Sequence, residues 1–156
     1  MPSTSLLSSN GYPASKDRAA IAIKSYPING TSTKISCAEV VAPLLVGFCQ
    51  EFHELIEPID GEALDDWGYA FRMVRGSTDK LSNHSSGTAV DLNATKHPLG
   101  KAGTFPAEKV PMIQALAKKY GLTWGGDYKN RKDEMHFEIS VSPEKAKKLI
   151  EKLGLK

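Results

Sequence analysis

The sequence predicts an α+β fold: a single domain with a small, mainly antiparallel sheet flanked by helices. Helical and strand-like stretches follow one another in mixed order, with few of the helical crossovers that parallel sheets require. A length of 156 residues suits one hydrophobic core, and a hydrophobic content of 40% is ordinary for a globular protein. We find no internal repeat or linker, so we expect one domain over residues 1–156.

The charge is nearly balanced, with 20 basic and 18 acidic residues spread along the chain. Nucleic-acid-binding domains usually carry a clustered basic surface, so no nucleic-acid partner is expected. No segment approaches the roughly 18 uninterrupted apolar residues of a membrane span. The N-terminus lacks a basic segment followed by an apolar run, so we expect no secretory signal and synthesis in the cytoplasm. We also expect a monomer.

The first third of the chain predicts a lead-in, a strand and a long helix. Residues 1–17 are rich in Ser, Pro and Gly, which is typical of an irregular segment. AAIAIKSYPING then predicts a strand that is broken by a Pro and an Asn-Gly turn. Ser36 and Glu39 form a capping box, which predicts a helix from Ser36 to the break at Pro58. The apolar face of that helix consists of Val40, Val41, Leu44, Leu45, Phe48, Phe52, Leu55 and Ile56.

Two cysteines, Cys37 and Cys49, are too few for a disulfide framework or a four-cysteine metal site. Both fall in the predicted helix, where their separation along the axis exceeds the span of a disulfide. We therefore expect two buried free thiols.

Three strands are predicted in the rest of the chain. WGYAFRMV alternates large apolar residues with others, which directs Arg72 away from the core. TAVDL predicts a short second strand, and EMHFEISV predicts a third, with His136 and Glu138 on the face opposite the core. The core-facing residues of the first strand are Trp67, Tyr69, Phe71 and Met73, and those of the third are Met135, Phe137, Ile139 and Val141.

Two helices and one long connection complete the prediction. The connection between the second strand and the next helix is longer than connections in compact domains usually are, so we expect it to have a function. A helix over residues 110–120 has Pro111 in its first turn and Gly121 as its C-terminal cap. Ser142 and Pro143 begin a last helix. Its inward residues are Ala146, Leu149, Ile150 and Leu153.

Histidine and carboxylate side chains occur in SNHSSGTAVDL and again in DEMHFE. His84, Asp91 and His136 supply the nitrogen and oxygen ligands that Zn²⁺ accepts, and catalytic zinc sites use three such ligands with an open fourth position. Strand alternation directs Asp91 and His136 away from the core, so two neighbouring strands would present both on one polar face. Gly87 and Ala89 would let the backbone turn tightly near the ion.

Hydrolysis at such a site also needs a proton acceptor. Asp133 stands three residues before His136, at the entrance of the predicted strand, and is within plausible reach. Glu134 is the competing candidate, although it would share the face of His136 only if the strand is already regular at that point.

These residues form the spaced patterns S-x-H-x-x-G-x-A-x-D and D-x-x-H-F-E. Together the patterns resemble the M15 family of zinc peptidases, with similarity from about Trp67 to Glu138. That family comprises D-Ala-D-Ala carboxypeptidases and dipeptidases, and the L-alanyl-D-glutamate endopeptidases used as phage endolysins. The first pattern stands as Ser82, His84, Gly87, Ala89 and Asp91, and the second runs from Asp133 to Glu138.

The resemblance implies an LAS-type fold (Hedgehog/DD-peptidase-like) with zinc held by His84, Asp91 and His136. It also implies Asp133 as general base, which favours Asp133 over Glu134. Arg72 stands where the family carries an arginine that steadies a substrate carbonyl or carboxylate, and a guanidinium suits forked carboxylate binding. Arg75, of opposite strand parity, ranks second in that role.

Several other polar residues keep two interpretations. Trp124 and Asp127 in TWGGDY either line a peptide groove or are a core Trp and a turn Asp. Ser82 either bonds the substrate or a ligand, or stabilises a local turn. Glu138 shares the face of His136 and could orient that ligand from outside, although we assign it no catalytic role.

Two histidines are not expected to bind metal. HELIE, which begins at His53, has the first half of the H-E-x-x-H zinc helix, but Glu57 replaces the second histidine. We therefore expect His53 to be structural. His97 has no partner at ligand spacing and is expected to be a loop residue.

The resemblance implies a zinc-dependent hydrolase that cuts the peptide stem of bacterial peptidoglycan. A phage endolysin with L-alanyl-D-glutamate endopeptidase activity is the first expectation, with a D-Ala-D-Ala carboxypeptidase second. Such a lysin would accumulate in the cytoplasm of the infected cell and act on the wall after release. A zinc-stabilised module that binds the wall without cutting it is the rival from another class. A nuclease is disfavoured by the near-neutral charge.

Overall fold

The computed structural model describes residues 6–59, 66–74 and 76–155, and the architecture is α+β as predicted. Within these ranges, no helix combines the length and the hydropathy that crossing a bilayer requires. The helices are α1 (Ala42–Leu55), α2 (Val110–Lys119) and α3 (Pro143–Lys152). The strands are β1 (Leu6–Leu7), β2 (Pro13–Ala14), β3 (Ile23–Pro27), β4 (Lys34–Ala38), β5 (Ala89–Asp91), β6 (Leu122–Trp124) and β7 (His136–Ile139).

The sheet that carries the candidate site has the strand order β5-β7-β6, and both of its pairings are antiparallel. In the pairing of β5 with β7, Asp91 lies opposite His136 and Ala89 lies opposite Glu138. Because side chains alternate along a strand, this register sets Asp91, His136 and Glu138 on one face. Phe137, on the other face, is fully buried in the core.

Aromatic rings pack α1 against the apolar face of this sheet. The centroid of Phe137 lies 4.6 Å from that of Phe48 and 5.7 Å from that of Phe52, both in α1. Trp124 of β6 stacks nearly parallel to Phe137, with an interplanar angle of 11°. Since Phe137 stands between His136 and Glu138 in β7, its packing also fixes the direction of those two polar side chains.

The predicted capping box at Ser36 is wrong, and α1 begins later in the chain. Ser36 lies in β4 and pairs with Ser25 of β3, so its backbone belongs to a hairpin. A 3₁₀ turn over Glu39–Val41 follows, and α1 starts at Ala42 with Pro43 in its first turn. The local capping signal was overridden because five residue pairs of the hairpin hold this segment extended.

Most of the predicted apolar face of α1 is nevertheless buried, and the thiols are as expected. The exceptions are Val40, in the 3₁₀ turn before the helix, and Leu55, the last residue of the helix, which are both exposed. Cys37 lies in β4 rather than in the helix, and Cys49 lies in α1; both are buried and free. Burial raises the pKa of the Cys37 thiol to about 12, so it does not ionise near neutral pH.

The strand predicted over residues 67–74 is also wrong, because this segment is extended without forming a ladder. Its amides bond to different neighbours: that of Tyr69 to the Ser36 carbonyl, and that of Ala70 to the His84 carbonyl. Trp67 forms an isolated bridge to Asp91. The side chains predicted to face the core do not all lie in it, and Trp67 is 51% exposed. The segment therefore connects β4, β5 and the turn that carries His84.

The lead-in, expected to be irregular, contains a short antiparallel pairing of β1 with β2. Asn10, between those strands, reaches the site region through its backbone amide and its side chain. Its amide donates to Oδ1 of Asn83 at 2.8 Å, and its side chain donates to Thr88 and to the Ile139 carbonyl. The lead-in is thus held against the turn that carries His84 and against the end of β7.

The later helices agree with the sequence predictions, and β6 is an addition to them. α2 has Pro111 in its first turn, and Gly121 follows it in the left-handed region. Oγ of Ser142 accepts from the Lys145 amide at the start of α3, as expected for an N-terminal cap. β6 was missed because its three residues are too few for a periodic pattern.

Replacing Phe137 with Ala should lower the free energy of unfolding by about 3–5 kcal/mol, because it removes the ring that α1 and β6 both contact. The exposed Met112→Ala control on α2 should change it by less than about 0.5 kcal/mol. Urea unfolding, followed by circular dichroism in the presence of a chelator, measures both without a contribution from metal. Similar losses in the two variants would contradict this packing.

Candidate active site

Three side chains from two strands and one turn converge on the polar face of the sheet. His84 comes from the 3₁₀ turn Asn83–Ser86, Asp91 from the end of β5 and His136 from the start of β7. One nitrogen or oxygen atom of each lies within 4.8 Å of the corresponding atoms of the other two. All three residues are buried. The structure thus brings together the complete set of predicted ligands.

The turn that carries His84 is fixed at both ends by residues of the same motif. Oγ of Ser82 accepts from the His84 amide at 3.2 Å, so Ser82 has the local turn role. Gly87 ends the turn with a φ of 70°, which disfavours other residues. A Cβ at Gly87 would also lie 2.7 Å from the backbone nitrogen of Ala38 and collide with Ile23. Gly87 therefore permits the tight turn expected from the sequence, and it also lets that turn pack against the β3–β4 hairpin.

Each histidine has one ring nitrogen bound to an outer acceptor and the other directed at Asp91. Nδ1 of His84 donates to the Gly68 carbonyl at 2.7 Å, and its Nε2 lies 3.2 Å from Oδ1 of Asp91. Nε2 of His136 donates to Glu138 at 2.6 Å, and its Nδ1 lies 3.1 Å from the same Asp91 oxygen. Outer acceptors of this kind select the tautomer that presents a lone pair to a metal.

The charges around His136 favour a cation at the centre of the site. Burial alone would lower the pKa of His136, but hydrogen bonds to Asp91 and Glu138 outweigh it and raise the pKa to about 10. Burial likewise opposes ionisation of Asp91, yet the bonds to His136 and His84 hold its pKa well below the usual range. The buried Asp91 and the partly buried Glu138 therefore favour positive charge between them, and the donor set of two imidazole nitrogens and one carboxylate oxygen fits a divalent metal ion.

Glu138 is held in its ionised form by several donors. Burial would raise its pKa, but the bonds from His136, Asn83 and Tyr128 lower it. The Tyr128 hydroxyl donates to Oε1 of Glu138 at 3.1 Å, and the Tyr128 ring centroid lies 6.3 Å from that of His136. Glu138 thus orients His136 from outside, which is the position considered for it from the sequence. This position of Tyr128 was not predicted, because only Trp124 and Asp127 of TWGGDY were considered as site residues.

Asp133 lies in the turn that enters β7. Its amide donates to the Gly125 carbonyl, and its own carbonyl accepts from the His136 amide, both at 3.1 Å. A Cβ at Gly125 would collide with the Asp133 backbone, so this approach requires glycine. Oδ1 of Asp133 is buried without a hydrogen-bond partner in the described part of the chain. Burial raises the pKa of Asp133, the charge of His136 opposes that shift, and Asp91 adds to it.

Glu134, the competing candidate for the base, points toward the long connection after β5. Its carboxylate accepts from the Gly103 amide at 3.0 Å, from the Thr104 amide at 2.8 Å and from the Thr104 hydroxyl. Its backbone carbonyl accepts from Nε1 of Trp124 at 2.8 Å. Glu134 therefore holds a loop, while its neighbour Asp133 lines a cleft with His136.

The segment that carries these groups also resembles known proteins. Residues 75–139 match the model of the M15 peptidase family described as D-alanyl-D-alanine carboxypeptidase. The match contains the three candidate ligands and Asp133, and it covers less than half of the chain. It supports the M15 resemblance over that segment, although Arg72 precedes it. No solved structure matches the chain.

The cleft beside the M15-like ligand set has a volume of about 490 Å³. Arg72, of the extended segment 67–74, lies in its wall, while Arg75 lies outside the described residues. Trp124 is in the core, and the exposed Asp127 accepts from Gln114, so neither is among the residues of the cleft. The lining residues are Ser9, Arg72, Val74, Ser82, Asn83, Leu99, Tyr128, Lys129, Asn130, Arg131, Asp133, His136 and Glu138.

The two remaining histidines lie away from this M15-like site. Nδ1 of His53 accepts from the Ile59 amide at 3.1 Å, which is the structural role expected of it. His97 is only 1% exposed, so it is far more buried than a loop residue was expected to be. Its ring bonds to Glu57 and Thr104 and stacks on Phe105.

Replacing His84 or His136 with Ala should abolish stoichiometric binding of one Zn²⁺, because each removes a ligand of the three-member set. The wild type should gain thermal stability on adding Zn²⁺ and lose it with a chelator, since ligands that bind only the folded state stabilise it. Equilibrium dialysis with metal analysis measures the stoichiometry. The control His53→Ala should keep one Zn²⁺ per chain; unchanged binding in the two ligand variants would refute the site.

Proposed function

We propose that this protein is a zinc metallopeptidase that hydrolyses the peptide stem of bacterial peptidoglycan. The observation that carries the proposal is the partly buried Asp133 carboxylate, whose Oδ1 is buried and unpartnered in the described residues, in the wall of the cleft beside His136 of the ligand set. Buried polar atoms without partners are uncommon and often mark catalytic groups. The match of residues 75–139 to a peptidase family supports the same reaction class.

The reaction is addition of water to an amide carbonyl, followed by cleavage of the C–N bond. His84, Asp91 and His136 would hold the zinc ion, which when bound supplies Lewis acidity to the carbonyl and to the attacking water. Asp133 accepts the proton of that water as the carbon–oxygen bond forms. It returns the proton to the nitrogen of the leaving amine as the C–N bond breaks. Its raised pKa, caused by burial, suits a group that must both take and give a proton.

Basic side chains in the cleft wall favour an anionic peptide as substrate. Arg72, Lys129 and Arg131 line the cleft, and none forms an ion pair with a carboxylate in the described residues. Peptide stems carry free carboxylates that such cations can bind, and Arg72 can do so with two parallel hydrogen bonds. This supports the role expected for Arg72 from the sequence.

Two bonds of the stem are candidates for cleavage. The description of the matching family favours the D-Ala-D-Ala bond. The L-alanyl-D-glutamate bond, with the phage endolysin role that accompanies it, stays a prediction from the sequence resemblance. Mass spectrometry of wall fragments after digestion distinguishes the two, because the first releases terminal D-alanine and the second separates the stem from the glycan.

A metal-stabilised module that binds wall peptides without cutting them is the rival function. It would need the ligand set but no proton acceptor, so the presence of the Asp133 carboxylate in the cleft favours the enzyme. Purified walls incubated with the zinc-loaded protein should release new amino groups whichever bond is cut, and they should become less turbid only if the stem is separated from the glycan. Binding to walls with no new amines would establish the rival and refute the peptidase.

Replacing Asp133 with Asn should reduce turnover by at least about a hundredfold, which is the low end of a general base's contribution. Zinc content should stay at one ion per chain, because Asp133 is not in the ligand set. The release of amino groups from wall peptide measures turnover, and metal analysis measures zinc. Activity near that of the wild type would remove Asp133 from the mechanism; loss of zinc would show that the ligand assignment is incomplete.

Replacing Arg72 with Ala should raise KM for an anionic stem peptide by about tenfold or more, the usual loss for a hydrogen bond to a charged group. Arg72→Lys should recover only part of the loss, since an ammonium cannot form the two parallel bonds. Zinc content should not change. Steady-state kinetics at several salt concentrations measures the effect, with Lys147→Ala on the surface of α3 as control. Equal KM values in the Arg72 variants and the control would contradict the role.

A further inference from the structure

A second cluster of buried and partly buried polar groups connects the segment after α1, the long connection after β5 and the entrance of β7. Oε2 of Glu57 accepts from Nε2 of His97 at 2.6 Å, and Nδ1 of His97 lies 2.6 Å from Oγ1 of Thr104. The Thr104 hydroxyl bonds to Oε1 of Glu134. Asn93, two residues after the ligand Asp91, donates from its side chain to the same Glu57 oxygen at 2.6 Å. We name these five residues the anchor chain.

The direction of most hydrogen bonds in the anchor chain follows from its two carboxylates. Carboxylates only accept, so the Thr104 hydroxyl donates to Glu134, and Nε2 of His97 donates to Glu57. Nδ1 of His97 lies 2.6 Å from the Thr104 oxygen. Each of the five side chains is thereby bound to at least one other member of the chain. Bonds to charged groups are stronger than neutral ones, so the chain is a firm connection between its ends.

The anchor chain ends on the residue beside the proposed base. Glu134 follows Asp133, and its carboxylate also binds the amides of Gly103 and Thr104. On the other side of Asp133, the carbonyl of Lys132 accepts from the Gly100 amide at 2.7 Å. Both neighbours of Asp133 are therefore held by the same connection, which cannot shift without moving the backbone on either side of the carboxylate.

The anchor chain also reaches the ligand strands. At one end, Asn93 follows β5, which carries Asp91, and its side chain also donates to the Pro58 carbonyl at 2.9 Å. At the other end, Glu134 precedes β7, which carries His136. The Leu92 amide bonds to the Met135 carbonyl at 2.9 Å between those ends. The chain thus spans the point where β5 ends and β7 begins.

A catalytic reading of the anchor chain is not supported. Thr104, His97 and Glu57 have the order of a hydroxyl, an imidazole and a carboxylate, as in nucleophilic triads. The hydroxyl proton, however, belongs to the bond with Glu134, and His97 is stacked on Phe105 at 3.7 Å between centroids. None of the three lines the cleft beside the ligand set.

We infer that Glu57, His97 and Thr104 are positioning residues that act through Glu134 to fix the Asp133 carboxylate relative to the ligand set. This inference rests on the proposed function, in which Asp133 is the base. A displacement of about 1 Å in a catalytic group is enough to cost on the order of a hundredfold in rate. Loosening the anchor chain should therefore lower kcat far more than it changes metal binding.

Thr104→Val tests the inference, because it keeps the shape of the side chain and removes the hydroxyl. Full-length, zinc-loaded protein should lose about tenfold to a hundredfold in kcat, with zinc content unchanged and KM within about threefold. Thr104→Ser, which keeps the hydroxyl, should stay within about threefold of the wild-type kcat. Thr78→Val, on an exposed residue, is the matched control. Equal loss of kcat in Thr104→Val and Thr104→Ser would show that the loss does not follow the hydroxyl and would overturn the inference, as would a wild-type kcat in Thr104→Val.

Amide hydrogen exchange gives a readout that does not depend on activity. The amides of Gly103, Thr104 and His136 should exchange faster in Thr104→Val than in Thr104→Ser or Thr78→Val, because the Glu134 anchor and the turn at Asp133 loosen together. Unchanged exchange at all three amides would overturn the inference. If Thr104→Val does not fold, Glu57→Gln in the same anchor chain replaces it, and it should cause smaller changes of the same kind in amide exchange and kcat. Wild-type exchange and kcat in Glu57→Gln would overturn the inference.

The inference and the proposed function can fail separately. If the wild type binds zinc but hydrolyses no wall peptide, the proposed function is wrong, and the exchange data still show whether the anchor chain holds the segment around Asp133. If the wild type is active and Thr104→Val is equally active, the proposed function stands and the positioning role is wrong.

Discussion

One carboxylate oxygen between two imidazoles is the interaction on which the rest of the site depends. Oδ1 of Asp91 lies 3.2 Å from a nitrogen of His84 and 3.1 Å from a nitrogen of His136. Burying an ionised carboxylate is costly unless its charge and hydrogen bonds are compensated. The two imidazoles supply this compensation, and the acceptors behind both rings orient them. The antiparallel register places Asp91 opposite His136. A slip of one residue in that register would direct the ligand to the core.

The polar face of the sheet is supported by the close packing of aromatic rings on its apolar face. Phe137 separates His136 from Glu138 along β7 and is packed by rings of α1 and β6. Side chains in a close-packed core have little freedom to move. The direction of the metal-facing groups is therefore fixed from behind by dispersion contacts and from the front by hydrogen bonds. Support from both sides keeps the ligands in place before any ion binds, which reduces the ordering that binding must induce.

The sequence was informative where one local rule decides the outcome. Strand alternation correctly set His136 opposite Phe137, and the proline and serine signals located α2 and α3. The sequence was misleading at Ser36, where a helix-capping signal was overridden by pairing with β3. It also misled over residues 67–74, where an alternating pattern exists but successive amides bond to different partners.

The choice between Asp133 and Glu134 could not be made from the pattern alone. It depends on a turn that Gly125 permits and on a loop that Glu134 holds. Tyr128 and the contacts of His97 were not predicted for a related reason. Glu57 and His97 are 40 residues apart in the chain, and no periodic pattern connects them. Polar partners of this kind become visible only when the topology brings distant segments together.

The support of the ligand set extends well beyond the stretch that resembles peptidases. Gly68 accepts from His84, Glu57 belongs to the anchor chain, and Asn10 bonds to Asn83, Thr88 and the end of β7, yet all three lie before residue 75. Transplanting the matching stretch into another scaffold would therefore carry over the three candidate ligands without the contacts that orient them. The smallest portable unit that keeps these side chains in place includes the segment around Asn10, however remote that segment is from them in the chain.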